Sequence, residues 1–327
     1  MFFRLEQYAD EDGDGKRNEL DNNSDGELTI TWDLPNDITI YSLEAIRVND
    51  RTICRDGEGY CKIASESGRI DFAVNVGVES IVGDVYSCGG VWLRSRSQVH
   101  GDIYIYSKPF NESSVYAQEG AVYNSSMPPV GNFNEWPYKN VWDNKPHPID
   151  GIESAPPLIV AAGQEKTLGN GDMYSKVKVE SGATLKIMPG KIKVGDIQFE
   201  SGSTITFTNP GQRTVIQAEG NFIWRTTISN EDKELVARGF KLIQNSDKEV
   251  NIEGDWAGTI HAARSSLVMG QTKKIMYGRF LAKLVTMHQE SRIYRVDFAP
   301  INPSANLAGV YQVDFDLNAQ STNFALR

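Results

Sequence analysis

From residue 28 onward, short runs of β-branched and aromatic residues are broken by Gly, Asn, Asp and Ser. Leu28-Thr29-Ile30-Thr31-Trp32, Ile38-Thr39-Ile40-Tyr41 and Ile46-Arg47-Val48 alternate apolar and polar positions, the period of strands with one buried face. They predict a small β module over residues 28–67.

Beyond residue 68 the pattern repeats. Val82-Gly83-Asp84-Val85 returns as His100-Gly101-Asp102-Ile103, with the glycines 18 residues apart. Glu180-Ser181-Gly182-Ala183-Thr184-Leu185 returns as Glu200-Ser201-Gly202-Ser203-Thr204-Ile205 at an offset of 20, and Ala257-Gly258-Thr259-Ile260 returns as Tyr277-Gly278-Arg279-Phe280, also at 20. One coil of a β-helix accounts for such offsets. Each coil supplies two or three short strands, and stacking at about 4.8 Å pairs the backbone and buries an interior that one coil cannot bury alone. A β-sandwich also turns roughly every 8 to 12 residues, but it gives no reason for a fixed Glu-Ser-Gly-small-Thr-apolar repeat. The predicted fold is therefore all-β: a parallel β-helix (β-solenoid) over residues 68–327, with a small N-terminal β module and one short helix. Inward positions include Val82, Val85, Val177, Val179, Leu185, Ile187, Val215, Ile216, Ile260, Phe280, Leu284 and Val285.

Two interruptions are expected. Residues 128–157 hold seven of the 13 prolines, together with Phe133, Trp136, Tyr138 and Trp142, and read as a long loop. Ser229 stands three places before Asp232, and Lys233 to Arg238 then lead to Gly239. That pattern predicts a short helix capped near Ser229 and packed across the coils.

The first candidate chemistry lies at residues 10–21, Asp-Glu-Asp-Gly-Asp-Gly-Lys-Arg-Asn-Glu-Leu-Asp. Oxygen donors at positions 1, 3, 5, 9 and 12, a Gly at 6 and a carbonyl at 7 converge as calcium requires. The predicted ligands are Asp10, Asp12, Asp14, Lys16 through its carbonyl, Asn18 and Asp21, with Asn23 and Asp25 completing a second, less complete site that shares Asp21. The competing reading is an acidic solvated tail. Calcium is the one cofactor expected, over residues 1–27.

Of three cysteines, Cys54 and Cys61 flank the turn-rich Arg55-Asp56-Gly57-Glu58-Gly59-Tyr60 and are expected to close a disulfide hairpin; free thiols are the alternative. Cys88 reads as a small core residue.

A formal charge of −10 repels phosphates at long range, so nucleic acid is not an expected partner. Apolar stretches such as Pro157 to Ala162 are too short to cross a bilayer. Met1-Phe2-Phe3-Arg4 lacks the regions of an export signal, so an oxidising, calcium-rich setting implies a leader or anchor removed upstream.

Thr167-Leu168-Gly169-Asn170-Gly171-Asp172-Met173-Tyr174, Leu185-Lys186-Ile187-Met188-Pro189-Gly190, Trp256-Ala257-Gly258-Thr259-Ile260-His261-Ala262 and Gly278-Arg279-Phe280-Leu281-Ala282-Lys283 give the chain its resemblance to secreted bacterial β-helix surface proteins of pilin-anchored and slime types. The N-terminal loops resemble those of dockerins and thrombospondin type 3 repeats, with Arg17 replacing the usual apolar residue. The β-helix resemblance implies adhesion or assembly at the cell surface.

No paired His motif, nucleophile elbow or phosphate-cradling loop occurs. Asp84 and Asp102, one coil apart, are the best candidates for a carboxylate pair, and bonding to local backbone is the simpler use of an Asp after a corner Gly. The expected function is non-enzymatic: an extracellular or bacterial cell-surface structural, adhesive or filament-forming protein stabilised by calcium. Its expected partners are further copies of itself or a surface polysaccharide. The alternative is a carbohydrate-binding module or polysaccharide-active enzyme. Phe133, Trp136, Tyr138 and Trp142 offer flat faces for sugar rings, or else pin their loop to the coils.

Overall fold

The fold is given by a computed structural model that describes residues 37–72, 80–107, 115–123, 131–132, 148–270 and 273–301. The described residues are strands joined by tight corners, with one α-helix and one short 3-10 turn. Pairing between successive segments is parallel throughout, apart from the Cys54–Cys61 hairpin.

The strands group into eleven tiers. Tier 1 holds Pro157–Val160 and Glu165–Leu168, and tier 2 holds Met173–Val179 and Thr184–Ile187. In-register pairs such as Val177 with Leu158 and Thr184 with Glu165 join these two. Gly190–Phe199 and Thr204–Phe207 form tier 3, and Thr214–Ala218, Phe222–Trp224 and Thr227–Ile228 form tier 4. Phe240–Gln244, Val250–Ile252 and Trp256–Ala257 make tier 5; Thr259–Met269 with Ile275–Tyr277 make tier 6; Phe280–Met287 with Arg292–Tyr294 make tier 7. The repeats found by sequence are therefore neighbours: Thr184 pairs with Thr204, Ala257 with Tyr277, and Val85 with Ile103.

The next tier comes from the other end of the sequence. Ile40–Val48 pairs in parallel with Phe280–Met287, and Ile53–Asp56 with Arg292–Tyr294. This is tier 8. Tier 9 holds Ile63–Ser65, Ile70–Phe72 and Ser80–Val82, tier 10 holds Val85–Ser87, Val91–Leu93 and Ser97–Val99, and tier 11 holds Ile103–Ser107, Val115–Ala117 and Val122–Tyr123, each paired with the one before. Gly131–Asn132 pairs onto the far side of tier 11. Parallel pairing thus runs through the strands from Pro157 to Tyr294 and continues into those that begin at Ile40, with Ile40–Val48 abutting Phe280–Met287. Of the small leading β module expected over residues 28–67, the strand Ile40–Val48 instead lies between Phe280–Met287 and Ile63–Ser65. Ahead of tier 1, the Ile149 N–H donates to Glu219, next to tier 4, at 3.1 Å, and Ile152–Ser154 forms the 3-10 turn, packed on tiers 2 and 3.

One apolar interior runs through all eleven tiers, including Ile40, Ile63, Val85, Ile103, Val177, Leu185, Phe199, Trp224, Trp256, Phe280 and Val285. Bulky rings fill its middle, with Trp224 4.9 Å from Trp256 and 5.1 Å from Phe199. Alternation places these residues inward within a strand, but the phase flips where a strand turns a corner. That flip leaves Leu284 half-buried beside inward Val285. Val215 is buried outside the core, in the outward row between Lys191 and Lys241. Cys88 is a buried thiol in a second cluster with Tyr41, Ala64 and Leu281.

Buried serines brace one corner. Ser42, Ser65 and Ser87 are stacked in register, and each hydroxyl reaches a carbonyl of the preceding tier: Lys283 at 2.8 Å, Glu44 at 2.9 Å and Gly68 at 3.4 Å. The helix spans Lys233–Gly239 as expected. Its cap is Asp232, whose carboxylate accepts the Leu235 N–H at 2.8 Å, whereas Ser229, the expected cap, shares a hydrogen bond of 2.7 Å with Thr206 on tier 3.

Candidate functional site

The Gly-Asp corners use their acids structurally. Asp84 Oδ1 accepts the Asp102 N–H at 2.9 Å, Asp196 Oδ1 accepts the Asn221 N–H at 2.8 Å, and Asn170 Oδ1 accepts the Lys191 N–H at 2.8 Å. Each bond runs from one tier to the next. A Cβ on Gly101, Gly220 or Gly190 would collide with the accepting side chain, so glycine is required where the acceptor crosses over. Asp84 also lies 3.3 Å from Lys62. Beside it, burial and then the Asp84 charge raise the Tyr86 pKa, and burial followed by the Asp102 charge raises that of Tyr104. Both phenols stay protonated and stack with centroids 4.6 Å apart.

A second feature was not anticipated. At another corner, eight of the eleven tiers place one residue in the left-handed region two positions before an outward strand residue, and in six of them the residue between is small, the exceptions being Gln164 on tier 1 and Lys274 on tier 6. In tiers 1 to 3 the left-handed residue is Gly163, Gly182 or Gly202, with φ of 75°, 76° and 84°. In tiers 6, 7, 8 and 10 it is Lys273, Glu290, Arg51 and Arg96, with φ between 57° and 66°, and in tier 11 it is Gly120. Buried Ser291, Thr52 and Ser97 follow. The outward residues are then Ile275, Arg292, Ile53, Ile81, Gln98 and Val122, aligned in register across tiers 6 to 11.

Between these two rows lies a groove of about 690 Å³ parallel to the stack axis. Its lining takes Ile53, Ile81, Gln98, Val122 and Arg292 from the outward row, which forms the floor, and Arg51, Arg96 and Lys273 from the left-handed row. Glu290 is the acidic residue in the lining, and it is ion-paired with Arg51.

Comparison with protein-family models, curated proteins and solved structures gave no match. The site is therefore read from its own chemistry.

The expected disulfide is present: Cys54 and Cys61 are bonded with Cα atoms 5.2 Å apart, and both are buried. The calcium-ligand candidates Asp10, Asp12, Asp14, Lys16, Asn18, Asp21, Asn23 and Asp25 lie outside the described residues, as do Phe133, Trp136, Tyr138 and Trp142. Among the described residues, no group of three or more His, Cys, Asp or Glu side chains is placed to hold a metal, and no helix is long and apolar enough to cross a membrane. Arg51, Arg96, Lys273 and Arg292 escaped sequence reading because they come from distant segments. The signal, visible afterwards, is a long charged residue, then a small hydroxyl residue, then a strand residue: Arg51-Thr52-Ile53, Arg96-Ser97-Gln98 and Glu290-Ser291-Arg292.

Proposed function

We propose that the chain is a parallel β-solenoid serving as a non-enzymatic structural or adhesive element, extracellular or at a bacterial cell surface, with calcium ordering residues 10–27. The observation that carries the reading is the parallel register that continues from tier 1 to tier 11 through the junction of Ile40–Val48 with Phe280–Met287. Ten tier spacings of about 4.8 Å give a rigid body roughly 48 Å long. Display of side chains in rows along such a body suits contact with an extended partner.

The bonds from Asp84, Asn170 and Asp196 to neighbouring backbone favour a scaffold over a polysaccharide-cleaving enzyme. Tier 1 begins at Pro157, which has no N–H, and exposes Glu165 and Lys166, features that blunt a strand edge against further pairing. Display is thereby favoured over end-to-end filament growth from that face.

Titration of metal-free protein with calcium, followed by calorimetry and circular dichroism, tests the metal assignment. Heat and added ordered structure are expected below millimolar calcium; their absence overturns it. Light scattering tests assembly, with a monomer expected at micromolar protein.

A further inference from the structure

The groove over tiers 6 to 11 is charged against the sign of the whole chain. Its lining carries four cations and one carboxylate, a local surplus of three positive charges (four minus one), while the chain carries −10. Arg96, Lys273 and Arg292 are exposed and make no ion pair among the described residues. Backbone geometry sharpens the point. Where Gly163, Gly182 and Gly202 serve the same corner without strain, Lys273, Glu290, Arg51 and Arg96 occupy left-handed conformations that disfavour residues with a Cβ. The fold does not require charge there, so the side chains themselves are what those positions supply.

We propose that this groove binds a linear polysaccharide bearing carboxylates, laid parallel to the stack axis. The outermost cations, on tiers 6 and 10, lie four tier spacings apart, roughly 19 Å, and a polymer with one carboxylate on each ring offers anions at regular intervals along such a length. Arginine forks match carboxylates in two-point contacts. Ile53, Ile81 and Val122 on the floor fit the C–H faces of sugar rings, and Gln98 adds donors and an acceptor for hydroxyls. A peptide strand suits the groove less well. The strands beneath it are already paired with both neighbours from tier 7 to tier 10, so they offer no backbone edge to extend.

The test uses the whole chain with calcium chelated, which removes any metal bridge between the acidic N-terminal segment and the glycan. Binding to polygalacturonate, dextran, poly-glutamate and single-stranded DNA is compared by affinity electrophoresis and calorimetry. Polygalacturonate is expected to bind, weakening as salt screens the charges, and dextran is not. The Arg96→Asn, Lys273→Asn, Arg292→Gln triple variant is expected to bind polygalacturonate at least about tenfold more weakly. Asn tolerates the left-handed corner, and an unchanged melting temperature would show that the fold survives. A charge-matched control, Lys166→Gln, Lys176→Gln, Lys186→Gln, lies on tiers 1 and 2 and is expected to bind normally. Equal loss in both variants, no binding of polygalacturonate, or equally tight binding of DNA or poly-glutamate would each overturn the proposal. None of these outcomes bears on calcium binding, which is read separately by metal titration.

Discussion

The Ser42 hydroxyl donates to the Lys283 carbonyl at 2.8 Å, across 241 positions of sequence. The same oxygen lies 2.8 Å from the Ala45 carbonyl, so its one proton is shared between acceptors on either side of the seam between tiers 7 and 8. Arg279 works beside it: its Nε donates to the Ile38 carbonyl at 2.9 Å, and the side chain is buried apart from an ion pair with Asp297 at 3.3 Å.

Removing the serine hydroxyl takes away the one donor that the Lys283 and Ala45 carbonyls share in a dry interior. Ser42→Ala is expected to destabilise the protein by about 1–3 kcal/mol, read from urea unfolding midpoints. Ser65→Ala, which removes the one donor lying 2.9 Å from both the Glu44 and Gly68 carbonyls, is expected to fall in the same range. A neutral result for both would mean that the corner is open to water.

The permuted order makes a prediction that no unpermuted stack shares. Arg47 and Thr286 are register partners on adjacent parallel strands, with the spacing of about 4.8 Å that a disulfide accepts. The double variant Arg47→Cys, Thr286→Cys is expected to oxidise spontaneously. With a specific protease site inserted between residues 132 and 148, cleavage should then give fragments that separate on a denaturing gel only after reduction. Separation without reduction would place Ile40–Val48 elsewhere.

The neighbour relations that follow the chain were legible. Glycine at the Glu-Ser-Gly corners and apolar residues at every second strand position leave few alternatives, and Thr184 and Thr204 are duly paired. The order of the tiers was not legible. Ile40, Ile46 and Val48 present the same inward apolar row as any other tier, so nothing local states that their partner is Phe280–Met287. The groove was hidden for a related reason. Arg51, Arg96, Lys273 and Arg292 are scattered through the sequence, and three of them sit in a backbone conformation that sequence reading assigns to Gly or Asn.

Asp84 separates a structural corner from a catalytic one. Its carboxylate accepts the Asp102 N–H at 2.9 Å, an interaction an amide oxygen reproduces. Asp84→Asn is expected to match the parent, whereas Asp84→Ala hands the exposed N–H to water and costs about 0.5–1.5 kcal/mol, the net worth of one hydrogen bond. If Asn were as damaging as Ala, the carboxylate charge would matter and its contact with Lys62 would be the reason.

Acid sensitivity should trace to His261. It lies in register between Ile243 and Leu281 on the outer face, where burial and then the positive charge of Lys241 push its pKa down to about 3. An unfolded histidine titrates near 6.5. Between those values the unfolded chain binds a proton that the folded chain refuses, so stability is fully present above about pH 6.5 and declines as the pH falls toward 3. At pH 5 the loss amounts to at most about 2 kcal/mol, less in proportion to the solvent that reaches the partly exposed ring. His261→Gln removes the titration while keeping a polar side chain. Denaturant midpoints at pH 7 and pH 5 are expected to differ less in this variant than in the parent. An equal pH response in both would assign the acid limb to the carboxylates instead.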